Sequence, residues 1–333
     1  MPELDTVRLS LPEGRRVGQP GHAKALEYLV QRMTDTGLEP FEGDTRLLPY
    51  VAGGIEFTNL AGMIPGSDPG TMPILLGAHY DSAIDAPSAD DNAVSVALLL
   101  DSIPRIAGMK LRRNVVVAFF DAEEKPFFGT DGMGSVRFHR DHCRGLDFAC
   151  VIVLDMIGHP FELMMPVLDR TVRRIRKFLF ILGSESHTAL PGIVESAASR
   201  IRGLRPIPTL NRYVGDRSDH MAFRKAGQPY LFISRGRGRH SHTTRDTVEW
   251  IDFDAVRRIG DLLLELVRLI DVSFMEEGRE GTDPFECEIR MLKRAAGPLL
   301  PLILPFLGRW SGPPRTRADL DWLAARLGKS LAL

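Results

Sequence analysis

Cysteine is scarce: the 333 residues hold three, Cys143, Cys150 and Cys287, an odd count with no Cys-x-x-Cys spacing. That excludes a disulfide framework and a cysteine-based zinc site, and leaves histidine, aspartate and glutamate to hold any metal. Charge of one sign is missing as well. With 26% charged residues, 44% apolar residues and a net charge of -1, neither disorder nor a general nucleic-acid surface is indicated. The amino-terminal stretch MPELDTVRLSLPEGRR has no apolar core of signal-peptide length, so the chain is expected in the cytoplasm. A membrane span needs about 20 apolar residues. The apolar stretch Ala296 to Leu307 is shorter and broken by three prolines, so no span is expected. What remains is a chain long enough for one large α/β domain or two smaller ones, each with a substantial core.

The informative residues stand at the ends of apolar runs. Ile74-Leu75-Leu76 reads as a short buried strand that delivers His79 and Asp81 just past its carboxyl end, where open α/β sheets keep their active sites. Two apart on an extended backbone, these side chains leave the same face and can converge on one metal ion or one proton. Ten residues on, Asp90 and Asp91 are adjacent acids without a basic neighbour, a pair that repels unless a cation neutralises it. Taken alone, these residues read equally well as a hydrogen-bonded pair at a strand end and a cap on a helix from Ala93.

Val115 to Phe120 has the pattern of a strand buried on both faces and ends in Asp121-Ala122-Glu123-Glu124. Consecutive glutamates point in different directions, so one can bind a metal while the other serves as general base to a water. An isolated pair of this kind is more commonly a solvated loop start. A third run, Cys150 to Leu154, ends in Asp155, which makes acids at strand ends a repeated design. Further strands are expected at Ile55 to Met63, Phe178 to Leu182 and Tyr230 to Ser234. Helices are expected at Gly21 to Met33, Ala93 to Ile106 with an end or kink at Pro104, from Ser135, and at Leu190 to Ile201, Met221 to Ala226, Asp252 to Ile270 and Arg317 to Leu327.

The last constellation is the loop RGRGRHSHTTRDT, in which His240 or His242 can complete a metal site. Its arginines, Arg235, Arg237 and Arg239, lack the interleaved aromatics of an RNA reader and suit a solvated loop or a substrate carboxylate. His139, His142, His159, His187 and His220 read as surface or capping residues, and Tyr213 as an oxyanion contact or a packing residue.

In order along the chain, His79-Tyr80-Asp81-Ser82, Ala89 to Ala93, Glu123-Glu124, Asp155, Ser218-Asp219-His220 and His242 to Thr247 resemble the motifs of the zinc exopeptidases that include bacterial leucyl aminopeptidases and glutaminyl cyclases. The resemblance covers roughly residues 15 to 270, since Gly18 to Ala23 also looks like the family's first helix. It implies an α/β fold of three layers, α/β/α, with a mainly parallel, mixed sheet of about eight strands. It further implies that Asp91 bridges two zinc ions, with His79 and Asp155 completing one and Glu124 and His242 the other. Asp81 resembles the acid that orients the ligand histidine, Glu123 the general base, and a cis peptide is implied between Asp91 and Asn92.

The implied activity is aminopeptidase hydrolysis of peptides with a free amino terminus, by a metal-activated water whose proton Glu123 takes. The alternative within the family is a single-zinc glutaminyl-peptide cyclotransferase forming amino-terminal pyroglutamate. Phe119 to Glu124 and Leu154 to Gly158 look like the cyclases, but Ser241 stands where they carry tryptophan, and the Lys125 to Met133 segment is shorter than their loop; the balance favours the hydrolase. A non-catalytic binding protein of the same fold is the lesser alternative, disfavoured because the ligand set is whole. Residues 1–270 are expected to form the catalytic domain. Residues 271–333 form a partly helical extension, expected to dock on it or to contact a second copy in a homo-oligomer.

Overall fold

The computed structural model describes residues 2–162, 174–297 and 314–331. One mixed sheet carries the molecule. Its strands are β1 (Glu39–Pro40), β2 (Leu47–Ala52), β3 (Ile55–Ile64), β4 (Ile74–His79), β5 (Val115–Phe120), β6 (Cys150–Leu154), β7 (Phe178–Leu182), β8 (Arg205–Thr209) and β9 (Tyr230–Ser234). They lie in the order β1-β3-β5-β4-β6-β9-β7-β8, with β2 paired to β3 off that path. This is one strand more than the expected eight. Strands β5, β4, β6 and β9 run parallel at the centre, while β3 and β7 pair antiparallel to either side.

Strict alternation along the central strands divides the core into two faces. Leu76, Val117, Ile152 and Ile233 point to one, where helices α2 (Pro20–Asp35), α3 (Val94–Ala107), α5 (Leu190–Arg200) and α8 (Phe253–Val272) bury Leu29, Leu98, Val194 and Leu263 against them. The short α1 (Pro2–Leu9) packs on the same side against α3. Leu75, Val116, Val151 and Phe232 point to the other face, covered by α4 (Gly134–His142) through Phe138 and by α7 (His220–Lys225) through Phe223. Both faces of each central strand are therefore dry, which is why these segments read as continuous apolar runs. Helix α3 runs on to Ala107, with Pro104 held inside its last turn by the buried Ile103 and Ile106.

Close packing reaches up to the strand ends. At Gly77, in β4, a Cβ would stand 2.5 Å from Cε2 of Phe120, a buried ring that also packs on Phe138 and Phe223. Gly77→Ala should therefore destabilise the fold by about 1–3 kcal/mol through overpacking, read from the midpoint of urea unfolding.

Beyond α8, helix α9 (Phe285–Ala296) lies on β8 and α5, and α10 (Arg317–Leu331) packs on α6 (Asn211–Val214). Most of the apolar stretch Ala296 to Leu307, from residue 298 on, lies outside the described residues. Among those described, no helix is long and apolar enough to cross a membrane.

Candidate metal centre

Because β5, β4 and β6 are parallel neighbours, their carboxyl ends open side by side. His79 closes β4, Glu123 and Glu124 follow β5, and Asp155 follows β6. Asp91 enters from the turn before α3, and His242 from the long loop after β9, the strand beside β6. The peptide bond between Asp91 and Asn92 is cis.

Asp81 organises the floor of the site. Its Oδ1 lies 3.2 Å from His79 Nδ1 and accepts the Glu123 N–H at 3.0 Å, while Oδ2 accepts the Glu124 N–H at 3.0 Å. A carboxylate on Nδ1 puts the proton there and leaves the Nε2 lone pair free for a metal. That Nε2 is buried without a hydrogen-bond partner, 3.4 Å from Asp91 Oδ1 and 3.7 Å from Asp155 Oδ1, an oxygen that also lacks one.

Two groups of ligand atoms result, each with its members within 4.8 Å of one another: His79, Asp91 and Asp155, and Asp91, Glu124 and His242. Asp91 belongs to both. In the second group His242 Nε2 is 2.9 Å from Asp91 Oδ2 and 3.2 Å from Glu124 Oε1. His242 is 39% exposed whereas His79 is sealed, so the second group faces solvent. Glu123 joins neither; its Oε2 lies 4.0 Å from His79 Nε2. His240 packs against Trp250 with the rings tilted and their centroids 4.7 Å apart, and belongs to neither group, which leaves His242 as the histidine of this loop that meets the acids.

The protonation balance shows an acid-rich pocket short of positive charge. Burial, with Asp91 adding to it, raises the Glu124 carboxyl to about 7. Burial also pushes Glu123 well above its ordinary value and raises Asp155. For His79 burial works the other way, yet the nearby carboxylates of Glu123, Asp155, Asp81 and Asp91 hold the imidazole well above its usual range. Hydrogen bonds to Asp91 and Glu124 lift His242 to about 10. A divalent cation replaces such held protons, and an imidazole-carboxylate set with orphaned donor atoms fits zinc.

A further ring of buried residues surrounds these two groups. Asp246 accepts the Asp90 N–H at 2.9 Å and the Asp91 N–H at 3.2 Å, and so fixes the turn that carries the residue common to both groups. Asp90 in turn accepts the N–H groups of Gly158 and His159 through Oδ1. His159 and His220, expected at the surface or as caps, are both buried. His159 is wedged between Asp90 and Asp246, and His220 stacks on Phe232. Asp219 is wholly buried beside His79 and Glu123, its carboxyl pushed up to about 7 by burial. Tyr213 donates its hydroxyl proton to Asp321 of α10 and is held there with Arg317, a packing position.

The model of a family described as peptidase family M28 matches residues 59–267. The chain is 24% identical over 268 residues to leucine aminopeptidase 1 of Leptosphaeria maculans, a match that takes in 75% of this chain and 64% of that protein. It thus spans less than two thirds of that relative's length. Among solved structures, the fold is similar to LapB of Legionella pneumophila (TM-score 0.63, 16% identity, 82% of this chain and 72% of that one). It is likewise similar to glutaminyl cyclase of Tannerella forsythia (TM-score 0.63, 19% identity, 80% and 96%).

Proposed function

The chain belongs to peptidase family M28, and from that premise we propose that it is a zinc-dependent aminopeptidase that removes the first residue of peptides with a free amino terminus. The observation that carries this reading is the pair of three-residue ligand groups sharing Asp91, with Glu123 beside both and part of neither. In this reading His79, Asp91 and Asp155 hold one ion and Asp91, Glu124 and His242 the other. Zinc bound there supplies Lewis acidity, polarising the scissile carbonyl and lowering the pKa of a bound water to about 7.

The protein's own residues do the rest. Glu123 Oε2 takes the proton of the attacking water and returns it to the leaving amine, so one carboxyl serves as base and then acid. Asp81 holds the His79 ring by Nδ1 and, through two main-chain N–H groups, aims Glu123 and Glu124. The more open second group presents Asp91 and Glu124 to the α-ammonium of the substrate, which favours cleavage at the amino end.

The reading is tested on leucyl and other aminoacyl anilides, their N-acetylated counterparts and a glutaminyl peptide. Cleavage of the free-amine substrates and not the acetylated ones is expected. Pyroglutamate formation from the glutaminyl peptide without anilide cleavage would replace hydrolase by single-zinc cyclase. Within the site, His242→Ala should lower zinc toward one ion per chain by elemental analysis, with His79, Asp91 and Asp155 retaining theirs. Retention of two would mean that His242 is not a ligand.

A further inference from the structure

Arg15 lies outside the segment matched by the family model, which begins at residue 59, and its side chain is wholly buried. Its guanidinium is spent on main-chain carbonyls. Nε donates to Tyr80 O at 2.8 Å, Nη1 to Leu9 O at 2.7 Å and Pro87 O at 2.8 Å, and Nη2 to Ser88 O at 3.0 Å and, more weakly, Asp91 O at 3.5 Å. Its backbone N–H donates to Ser82 Oγ at 2.8 Å, and that hydroxyl donates to Ile84 O at 2.9 Å. Gly14, at φ +73°, lies so close to this loop that a Cβ would meet Ala86 N and Ile84 O at 2.6 Å.

One planar cation thus ties the end of α1 to the stretch between His79 and Asp81 and to the turn that ends in Asp91. A buried carbonyl without a donor is costly, and a guanidinium offers five donors in a fixed plane where lysine offers three from a point. Burial lowers the Arg15 pKa only to about 10, so the group is a cation at neutral pH, favoured by Asp81, Asp246, Asp91 and Glu124.

We propose that Arg15 is a positioning residue of the metal site, which holds from outside the family segment the two stretches that carry His79 and Asp91 at the spacing the ions require. The consequence for turnover rests on the aminopeptidase reading; the consequence for metal affinity does not. A merely structural arginine would lower the melting temperature of stripped and zinc-loaded protein alike and leave zinc affinity unchanged. A positioning residue changes the affinity itself, so the zinc-induced gain in Tm shrinks.

The experiment uses the full chain, stripped of metal, with zinc affinity measured by competition with a chromophoric chelator and folding checked by near-ultraviolet circular dichroism. Arg15→Met is expected to weaken zinc binding about 10- to 100-fold, the range for groups that orient ligands, with Arg15→Lys intermediate. On the aminopeptidase reading kcat falls while KM stays near the parent's. Ser82→Ala, which removes the hook on the Arg15 N–H together with the hydroxyl's bond to Ile84 O and leaves the guanidinium in place, should weaken binding in the same direction by a smaller factor, and decides the matter if the Arg15 variants do not fold. Folded variants with the parent's zinc affinity, and Tm lowered equally with and without zinc, would overturn the proposal. A parent chain that binds zinc but cleaves no peptide would remove the aminopeptidase reading and leave Arg15 to be judged on affinity; a parent that binds none removes both.

Discussion

Glu123→Gln should cost about 10²- to 10⁴-fold in kcat/KM, some 3–5 kcal/mol of transition-state stabilisation, while zinc content stays at the parent's level. The expectation follows from geometry. Glu123 stands outside both ligand groups, so losing its charge removes no ligand, and glutamine fills the same volume. Its main-chain N–H is held by Asp81 Oδ1, an anchor that the substitution does not touch. What disappears is the carboxylate oxygen 4.0 Å from His79 Nε2, and with it the means of taking and returning a proton. Steady-state kinetics on a leucyl anilide, with elemental analysis of the same sample, separates the outcomes. A variant retaining a tenth or more of the parent's activity would remove Glu123 as the base; one lacking zinc would make it a ligand.

Asp91→Ala should have the larger effect on the metal. Asp91 is the member common to both groups, and both its oxygens are engaged, Oδ1 toward His79 and Oδ2 toward His242 and Ser241. Removing it leaves Asp155 and Glu124, buried acids already raised in pKa, facing histidines without the carboxylate that joined them. Breaking a buried charge network by deleting one partner costs about 3–5 kcal/mol, so a lower urea midpoint is expected along with the loss of both ions. Asp155→Ala and His242→Ala, which each touch one group, should each lose one ion. Elemental analysis of the three variants gives the ordering. If Asp91→Ala kept one ion and full occupancy of the other group, Asp91 would not be shared.

The sequence made the central sheet legible because β4, β5, β6 and β9 are buried on both faces and must therefore be continuous apolar runs. Strands β2 and β8 carry no such signal, for the opposite reason. They read Leu-Leu-Pro-Tyr-Val-Ala and Arg-Pro-Ile-Pro-Thr, and proline is tolerated because each lies at an edge of the sheet. Helix α9, amphipathic but dense in charge, was hidden behind the acidic turn Glu276 to Asp283.

In the site, His79 ends a strand and Glu123, Glu124 and Asp155 follow strands closely, where local pattern finds them, while Asp91 stands in an acidic pair at the start of α3. His242 comes from a loop in which His240 is an equal candidate, and the fold separates the two by packing His240 against Trp250 and bringing His242 to Asp91 and Glu124. Asp246 and Arg15 act on main-chain N–H and C=O groups of segments far away in sequence, 156 residues in the case of Asp246 and Asp90. Such contacts leave no spacing signal, because every residue type presents the same backbone group to them.

The central claim, a two-ion peptidase site built on Asp91, is tested most directly by titrating chelator-stripped protein with zinc and following leucyl anilide cleavage. The account predicts an inactive stripped chain whose activity rises and saturates near two equivalents. Full activity in the stripped chain, or no activity at any zinc level despite binding, would contradict it.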